Sequence, residues 1–599
     1  MKFTRRTFVK TAAAFSTAGA VRGFGATTTG EGREPIRQFD YAQVRLRGGP
    51  FAEHYEALHA HYLALDNDRL LKVYRQRAGL PVPGADMGGW YDLDGFVPGH
   101  TLGQYISGLA RIGASTGDEA CHAKVLALVE GFAETLGPDN QSILRPKTNQ
   151  WICYTLDKHF AGLIDAGTLS NVPNSKELLN RVLAGSEALL PAKGRDRIGK
   201  KDPPYDETFV MPENLFTAAK LTGNPAFSEL ARRYLLDREF FDPLSRGEDP
   251  FPGQHAYSHA ISLSSGAAAY LTLGDGKYKQ AIQNAFTLLT TEQQFASGGW
   301  GPNETFITPH KGQLYEALST TVDHFETPCG AYAATKLARY LMRLSASPTD
   351  TRYGDNLERV LYNTILAVKL PDSDGDYPYY STYSPQAKKV FYQSKWPCCS
   401  GTLVQAAGDY PLNIYFESED GLYVSQYMSS ELRFVHGGVS VTLTQETNFP
   451  SSDDASISVK TPHPVAFAIY LRIPSWVDRA ATVTVNGKPI AKSGNRGSFV
   501  ALRRTWREGD LIMVTLPQSF RTEAIDDQHP DTVALMRGPV QYVALSPTKE
   551  LGLERLALPA GLKQIAPQAF VENYEGRQVV FVPLYQVRNE TYTSYFSKA

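Results

Sequence analysis

Two cysteines stand side by side in Lys395-Trp396-Pro397-Cys398-Cys399-Ser400-Gly401-Thr402, and a third stands upstream in Glu326-Thr327-Pro328-Cys329. Together these motifs offer three thiols and one carboxylate. Zn²⁺ suits that donor set, because the ion is tetrahedral and takes soft thiolate alongside oxygen. The chain has only 5 cysteines, so most of them fall in these two short stretches. A vicinal pair alone reads more simply as two buried cysteines, which pack as small apolar residues. Another acid, Glu304, stands in Gly298-Gly299-Trp300-Gly301-Pro302-Asn303-Glu304-Thr305-Phe306, where a glycine-rich loop can present it to a substrate. Alone, that motif reads as a solvated loop carboxylate.

Residues so far apart in sequence need a scaffold to bring them together. At 599 residues the chain is too long for one ordinary core, and two to four domains are expected. From about residue 52 to 365, apolar residues recur at spacings of three and four, the helical pattern. Helix, then Gly with Asp or Asn, then helix recurs at Gly117-Asp118, Gly223-Asn224 and Gly274-Asp275, with a looser version at Gly354-Asp355. Recurring helical hairpins without a fixed period predict a closed toroid, an (α/α)₆ barrel, over residues 27–413. After about Ile414 the pattern changes to short alternating runs such as Ala466-Phe467-Ala468-Ile469-Tyr470-Leu471-Arg472-Ile473. These predict a β-sandwich over 414–528 and a second small β domain over 529–599.

The first residues point to export. Thr4-Arg5-Arg6-Thr7-Phe8-Val9-Lys10 precedes a small apolar run, the pattern of a twin-arginine signal over residues 1–26, and predicts a periplasmic or secreted protein. No later stretch has 18 uninterrupted apolar residues, so no membrane span is expected in the mature chain. Exported thiols usually pair as disulfides, but an odd number leaves one over, and a route that carries folded proteins lets metal be loaded before export. The formal net charge of −2 argues against nucleic acid as a partner. Aromatic residues at 11%, with 32 Tyr, fit sugar-stacking clefts and ordinary β packing alike.

Taken together, Gly99-His100-Thr101-Leu102-Gly103, the Tyr154–Asp165 segment around His159, the loop of Glu304, Glu326 with Cys329 and the Cys398-Cys399 pair resemble one group. They look like glycoside hydrolases of family 127 and its relative family 146, the β-L-arabinofuranosidase group, over nearly the whole mature chain. The resemblance implies a retaining glycosidase whose nucleophile is a zinc-held cysteine in place of a second carboxylate. Carried onto this sequence, Cys398 is the nucleophile and Glu304 the acid and base. Zn²⁺ sits among Glu326, Cys329, Cys398 and Cys399, and His159, His255, His259 and Tyr379 match sugar-contacting positions. The implied substrate is a plant glycan or oligosaccharide that yields L-arabinofuranose or a related sugar.

Two features depart from the family pattern. Thr327 and Pro328 both separate Glu326 from Cys329 where one residue is usual, which shifts the carboxylate by up to about 3.5 Å if extended. The shift breaks the site, is absorbed by a proline turn, or swings Glu326 toward the substrate. Thr208 stands where relatives carry His, which bears on the identity of the sugar. Two other readings stay open: the same fold acting on 3,6-anhydro-galactose of algal galactans, and a carbohydrate-binding protein that has lost catalysis. No motif points to a uronate lyase. The sequence is compatible with a homodimer and does not fix the oligomeric state.

Overall fold

The helices Leu102–Thr116, Pro212–Thr222 and Ala256–Leu273 each end on glycine in the left-handed region, Gly117 (φ 72°), Gly223 (φ 75°) and Gly274 (φ 77°), where a Cβ would be strained. The next residue, Asp118, Asn224 or Asp275, then caps the following helix through its side-chain oxygen. Each motif is therefore a tight turn between paired helices. The looser version is not, because Tyr353-Gly354-Asp355 lies inside the helix Arg352–Val360, where Asp355 pairs with Arg472 of a later strand.

The computed structural model describes residues 32–141, 151–194, 206–345, 347–490, 494–545, 555–574 and 576–598, so the export signal read at 1–26 lies outside the described residues. Six helices form a closed inner ring: Leu102–Thr116, Ile152–Leu169, Pro212–Thr222, Ala256–Leu273, Thr327–Ser345 and Cys398–Gly408. Each packs on the next, and the last returns to the first. Glu119–Thr135, Ser175–Ser186, Pro225–Tyr234, Gly276–Leu288 and Arg352–Val360 form the outer layer, and Gly49–Leu63 packs outside Cys398–Gly408 to complete the sixth pair. Most inner helices are buried nearly all round, while Pro212–Thr222 exposes Thr217 and Lys220. Cys398–Gly408 has no exposed position, which fits its mostly small or apolar residues, and its one large polar side chain, Gln405, is hydrogen-bonded to Ser107 and Gln104. Backbones come close where glycine allows it: a Cβ on Gly103 would sit 1.9 Å from the Lys158 carbonyl oxygen. This is the (α/α)₆ barrel expected from the sequence.

A five-stranded sheet runs in the order Ile36–Gln38, Tyr415–Ser418, Gly421–Val424, Val465–Ile473, Ser498–Trp506. It faces a seven-stranded sheet built around Ser430–His436, Val439–Thr447, Asp454–Lys460 and Leu511–Thr515, with Phe434 of one against Phe467 of the other at 5.6 Å. Residues 36–46, counted above with the barrel, instead give edge strands to both sheets through Ile36–Gln38 and Val44–Leu46. Strands of three residues are too short to show alternation. The third sheet starts earlier than expected, because Phe520–Ala524 pairs with Thr532–Arg537.

Candidate active site

The N-terminal ends of the inner helices converge at one mouth of the ring, and the chemistry gathers there. Phe325–Glu326 forms a two-residue strand against Tyr380–Ser381, with Glu326 opposite Tyr380. The Thr327 N–H then donates to the Tyr379 carbonyl at 2.8 Å, and the helix Thr327–Ser345 begins at once. Pro328 falls in its first turn, where a missing N–H costs nothing. Cys329 follows in the same turn, fully buried. Cys398 and Cys399 are the first two residues of Cys398–Gly408, after Pro397. Free N–H groups and the helix dipole there favour negative sulfur.

These elements bring four donors together. The Sγ–Sγ distances are 3.3 Å for Cys329–Cys399, 3.8 Å for Cys329–Cys398 and 4.0 Å for Cys398–Cys399. Glu326 Oε1 lies 3.4 Å from Cys398 Sγ and 3.7 Å from Cys399 Sγ. A tetrahedral ion with metal–sulfur bonds of ~2.3 Å and a metal–oxygen bond of ~2.0 Å sets S···S edges near ~3.8 Å and S···O edges near ~3.5 Å. The observed edges bracket both values, so the cluster fits one metal ion and the extra residue before Cys329 is absorbed. Burial, with the neighbouring charge, pushes Glu326, Cys329 and Cys399 up. Burial also acts to raise Cys398, but hydrogen bonds from Cys329, Cys399 and Tyr379 and the His100 ring outweigh it and hold this thiol well below the ordinary range. Cys398 ionises first; the full set carries its negative charge only around a cation.

Glu304 sits in a strained loop. Asn303 (φ 53°) and Glu304 (φ 58°) are both left-handed, a conformation costly for residues with side chains. The Asn303 N–H donates to the Asp323 carbonyl at 2.7 Å, and Thr305 bridges to His255. So held, Glu304 Oε1 accepts from Tyr379 Oη at 2.7 Å and Tyr380 Oη at 3.0 Å, while Oε2 lies 3.4 Å from His255 Nε2. Burial alone would raise this carboxyl, but His255 and the two phenols hold it down at about 2. Cys398, Glu304, Glu326, His255 and Tyr379 line one cavity of about 240 Å³, walled by Trp90, Trp151, Tyr154 and Tyr257. A larger open groove of about 970 Å³, bordered by Arg359, Trp476 and Glu523, holds none of the thiols.

Not every residue singled out in the sequence reaches this cavity. His159 lies deeper in its helix, bonded to Tyr74 Oη at 2.7 Å and packed on Phe132, and burial lowers it to about 3. His259 lies one turn below His255, against Phe209 and Phe240, with Nδ1 on the His255 carbonyl at 3.0 Å. Trp300 and Trp396 are core residues, the latter donating to the Met87 carbonyl. Tyr380 and Glu207, beside Tyr379 and Thr208, also belong to the site and carry no separate signal in the sequence. His100 approaches Cys398 from the start of the ring, with Nδ1 on the Val97 carbonyl and Nε2 buried without a hydrogen-bond partner among the described residues. Trp90 and Trp151 carry no local signal.

Comparison with known proteins agrees with this arrangement. The family model described as Beta-L-arabinofuranosidase, GH127 catalytic domain, matches residues 43–411, and the GH127 middle domain matches residues 421–518. A curated relative, the non-reducing end beta-L-arabinofuranosidase of Bifidobacterium longum subsp. longum, is 25% identical over 319 residues, 49% of this chain and 46% of that protein. The chain thus aligns with just under half the length of that relative. Among solved structures, a GH127 beta-arabinofuranosidase superposes with a TM-score of 0.73 at 18% identity, covering 95% of this chain and 98% of the other. A GH127 beta-L-arabinofuranosidase from Geobacillus stearothermophilus T6 gives 0.70 at 18% identity, covering 93% and 100%. At that identity the two structures speak to the fold.

Proposed function

The chain belongs to glycoside hydrolase family 127, and on that premise we propose that it is an exported, retaining glycosidase that removes L-arabinofuranose or a related sugar from plant glycans. One observation carries the reading: the Cys398 thiol and the Glu304 carboxylate face the same small cavity, with Tyr379 between them. A cavity of about 240 Å³ with aromatic walls suits one sugar ring, which supports removal of terminal residues.

Glu326, Cys329, Cys398 and Cys399 would hold Zn²⁺, which when bound keeps the thiols deprotonated at neutral pH. Cys398 Sγ attacks the anomeric carbon as the glycosidic C–O bond breaks and Glu304 gives a proton to the departing oxygen. In the second step Glu304 takes a proton from water, the water oxygen bonds to the anomeric carbon, and the C–S bond breaks to return the thiolate. Two inversions at one carbon give net retention.

The low position of Glu304 bears on the first step. In this reading the donated proton is shared across the His255–Glu304 contact, where His255 Nε2 lies 3.4 Å from Oε2. When a sugar displaces water from the cavity, separated charge becomes costly and the neutral form of the pair, with the proton on Glu304, is favoured. Tyr379 and Tyr380 keep the carboxyl aimed throughout.

Hydrolysis of an aryl β-L-arabinofuranoside, followed by NMR of the first-formed sugar, tests the reading. Cys398→Ser should lose turnover by at least ~10³, and Glu304→Gln should lose it mainly for poor leaving groups. A fully active Cys398→Ser protein would sink the cysteine mechanism. Turnover of anhydro-galactosides but not arabinofuranosides would move the substrate to the algal galactan reading.

A further inference from the structure

Away from the barrel mouth, three unlike donors meet at one point on the outer layer. His59 comes from the helix Gly49–Leu63, and Asp118 and Cys121 come from the start of Glu119–Thr135. We propose that His59, Asp118 and Cys121 form a second metal site that takes a borderline divalent cation such as Zn²⁺ with one coordination position left open.

The geometry distinguishes this cluster from a hydrolytic triad. His59 Nε2 lies 2.9 Å from Asp118 Oδ2 and 3.2 Å from Cys121 Sγ, so acid and thiol approach the same ring nitrogen. In a triad they occupy opposite nitrogens, one orienting the ring and the other losing its proton. Convergence on one nitrogen is what a shared ion requires. Cys121 Sγ lies 4.0 Å from Asp118 Oδ2, and the three donor atoms form a compact triangle. Edges of ~3.3 to ~3.6 Å are set by a tetrahedral ion with nitrogen, oxygen and sulfur ligands, and the observed ones fall on either side.

The surroundings prepare the same role. Asp118 Oδ1 accepts from the Ala120 N–H at 2.9 Å, which fixes the carboxylate with Oδ2 turned to His59. The Lys124 charge also reaches Cys121, but its ammonium donates to the Leu65 carbonyl and Asn67 Oδ1. Cys121 is buried, while His59 and Asp118 keep 19% and 31% of their side chains exposed, so solvent reaches the open position. Mixed nitrogen, sulfur and oxygen donors select zinc-like ions over Mg²⁺ or Ca²⁺, which prefer oxygen.

Metal content of the full chain, loaded with excess ZnCl₂ and desalted, tests this independently of the barrel-mouth cluster. Wild type should hold two equivalents. His59→Gln and Cys121→Ser should each hold one while hydrolysis stays within about twofold, and Cys399→Ser should retain the equivalent at His59. After Co²⁺ loading, Cys121→Ser should lose about one quarter of the thiolate charge-transfer absorbance, one sulfur of four. Wild type with one equivalent and His59→Gln also with one overturns the proposal, as does an undiminished Co²⁺ band in Cys121→Ser. Wild type with one and His59→Gln with none supports this site and counts against metal at the barrel mouth.

Discussion

His255→Gln tests how Glu304 obtains its proton. Burial works to raise the Glu304 carboxyl; among the groups that hold it down, His255 comes first, ahead of Tyr379 and Tyr380. The fall from the usual 4.5 to about 2 corresponds to ~3 kcal/mol of preference for the ionised form. Without His255 the two phenols face the burial cost alone, and Glu304 should titrate at higher pH. A depressed carboxyl stabilises the fold above its unfolded value and loses that contribution as pH falls from 4.5 to about 2. The variant should therefore lose up to ~3 kcal/mol at neutral pH, with less acid dependence in that window. In catalysis the proton now rests on Glu304 alone and leaves at lower pH.

The alkaline limb of kcat/KM should then move to acidic pH, and turnover at pH 7 should fall by ~10² or more for substrates with poor leaving groups. Aryl arabinofuranosides with good leaving groups need little protonation and should be largely spared. The assay is kcat/KM from pH 4 to 9 across a leaving-group series, with urea unfolding at pH 7 and pH 3. An unchanged pH profile with equal losses across the series would refute the shared proton and leave His255 as a sugar contact.

Three other outcomes follow from the geometry. Arg472 is fully buried and pairs with Asp355 and with Glu358 at 2.8 Å across the barrel–sandwich junction, so Arg472→Met should cost ~3–5 kcal/mol in denaturant unfolding by stranding Glu358. Gly103→Ala should cost at least ~1–3 kcal/mol and lower soluble yield, because its Cβ meets the Lys158 backbone, which cannot rotate away. Stripping metal with a strong chelator should lower the thermal midpoint and abolish hydrolysis, with both restored by Zn²⁺; full activity in a metal-free protein would exclude the ion from the mechanism.

Much of the barrel was legible because its turns are chemical. Glycine for the left-handed residue and Asp or Asn for the cap repeat at Gly117, Gly223 and Gly274. Gly354-Asp355 has the letters but no helix ends there, since Asp355 is spent on Arg472. The strands of residues 36–46 were not legible: each is three residues long and owes its conformation to partners nearly 400 positions away. The aromatic walls escaped for a similar reason, as Trp90 and Trp151 become site residues only once the ring closes.

Depth along the inner helices decides which residues reach the cavity. Cys398 opens its helix, Cys329 lies in a first turn, His255 caps Ala256–Leu273 and Trp151 immediately precedes Ile152–Leu169, and all but the buried Cys329 face the cavity. His259 lies one turn further in and His159 two, and both are core residues. Helical periodicity could not separate His255 from His259, because positions four apart share a face. Distance from the helix start separates them, and it explains why the extra residue before Cys329 does no harm. Thr327 pairs with Tyr379 and Pro328 opens the helix, so the insertion is taken up where strand meets helix and Cys329 stays in the first turn. An insertion one turn later would rotate Cys329 off the ring axis and part it from Cys399, now 3.3 Å away.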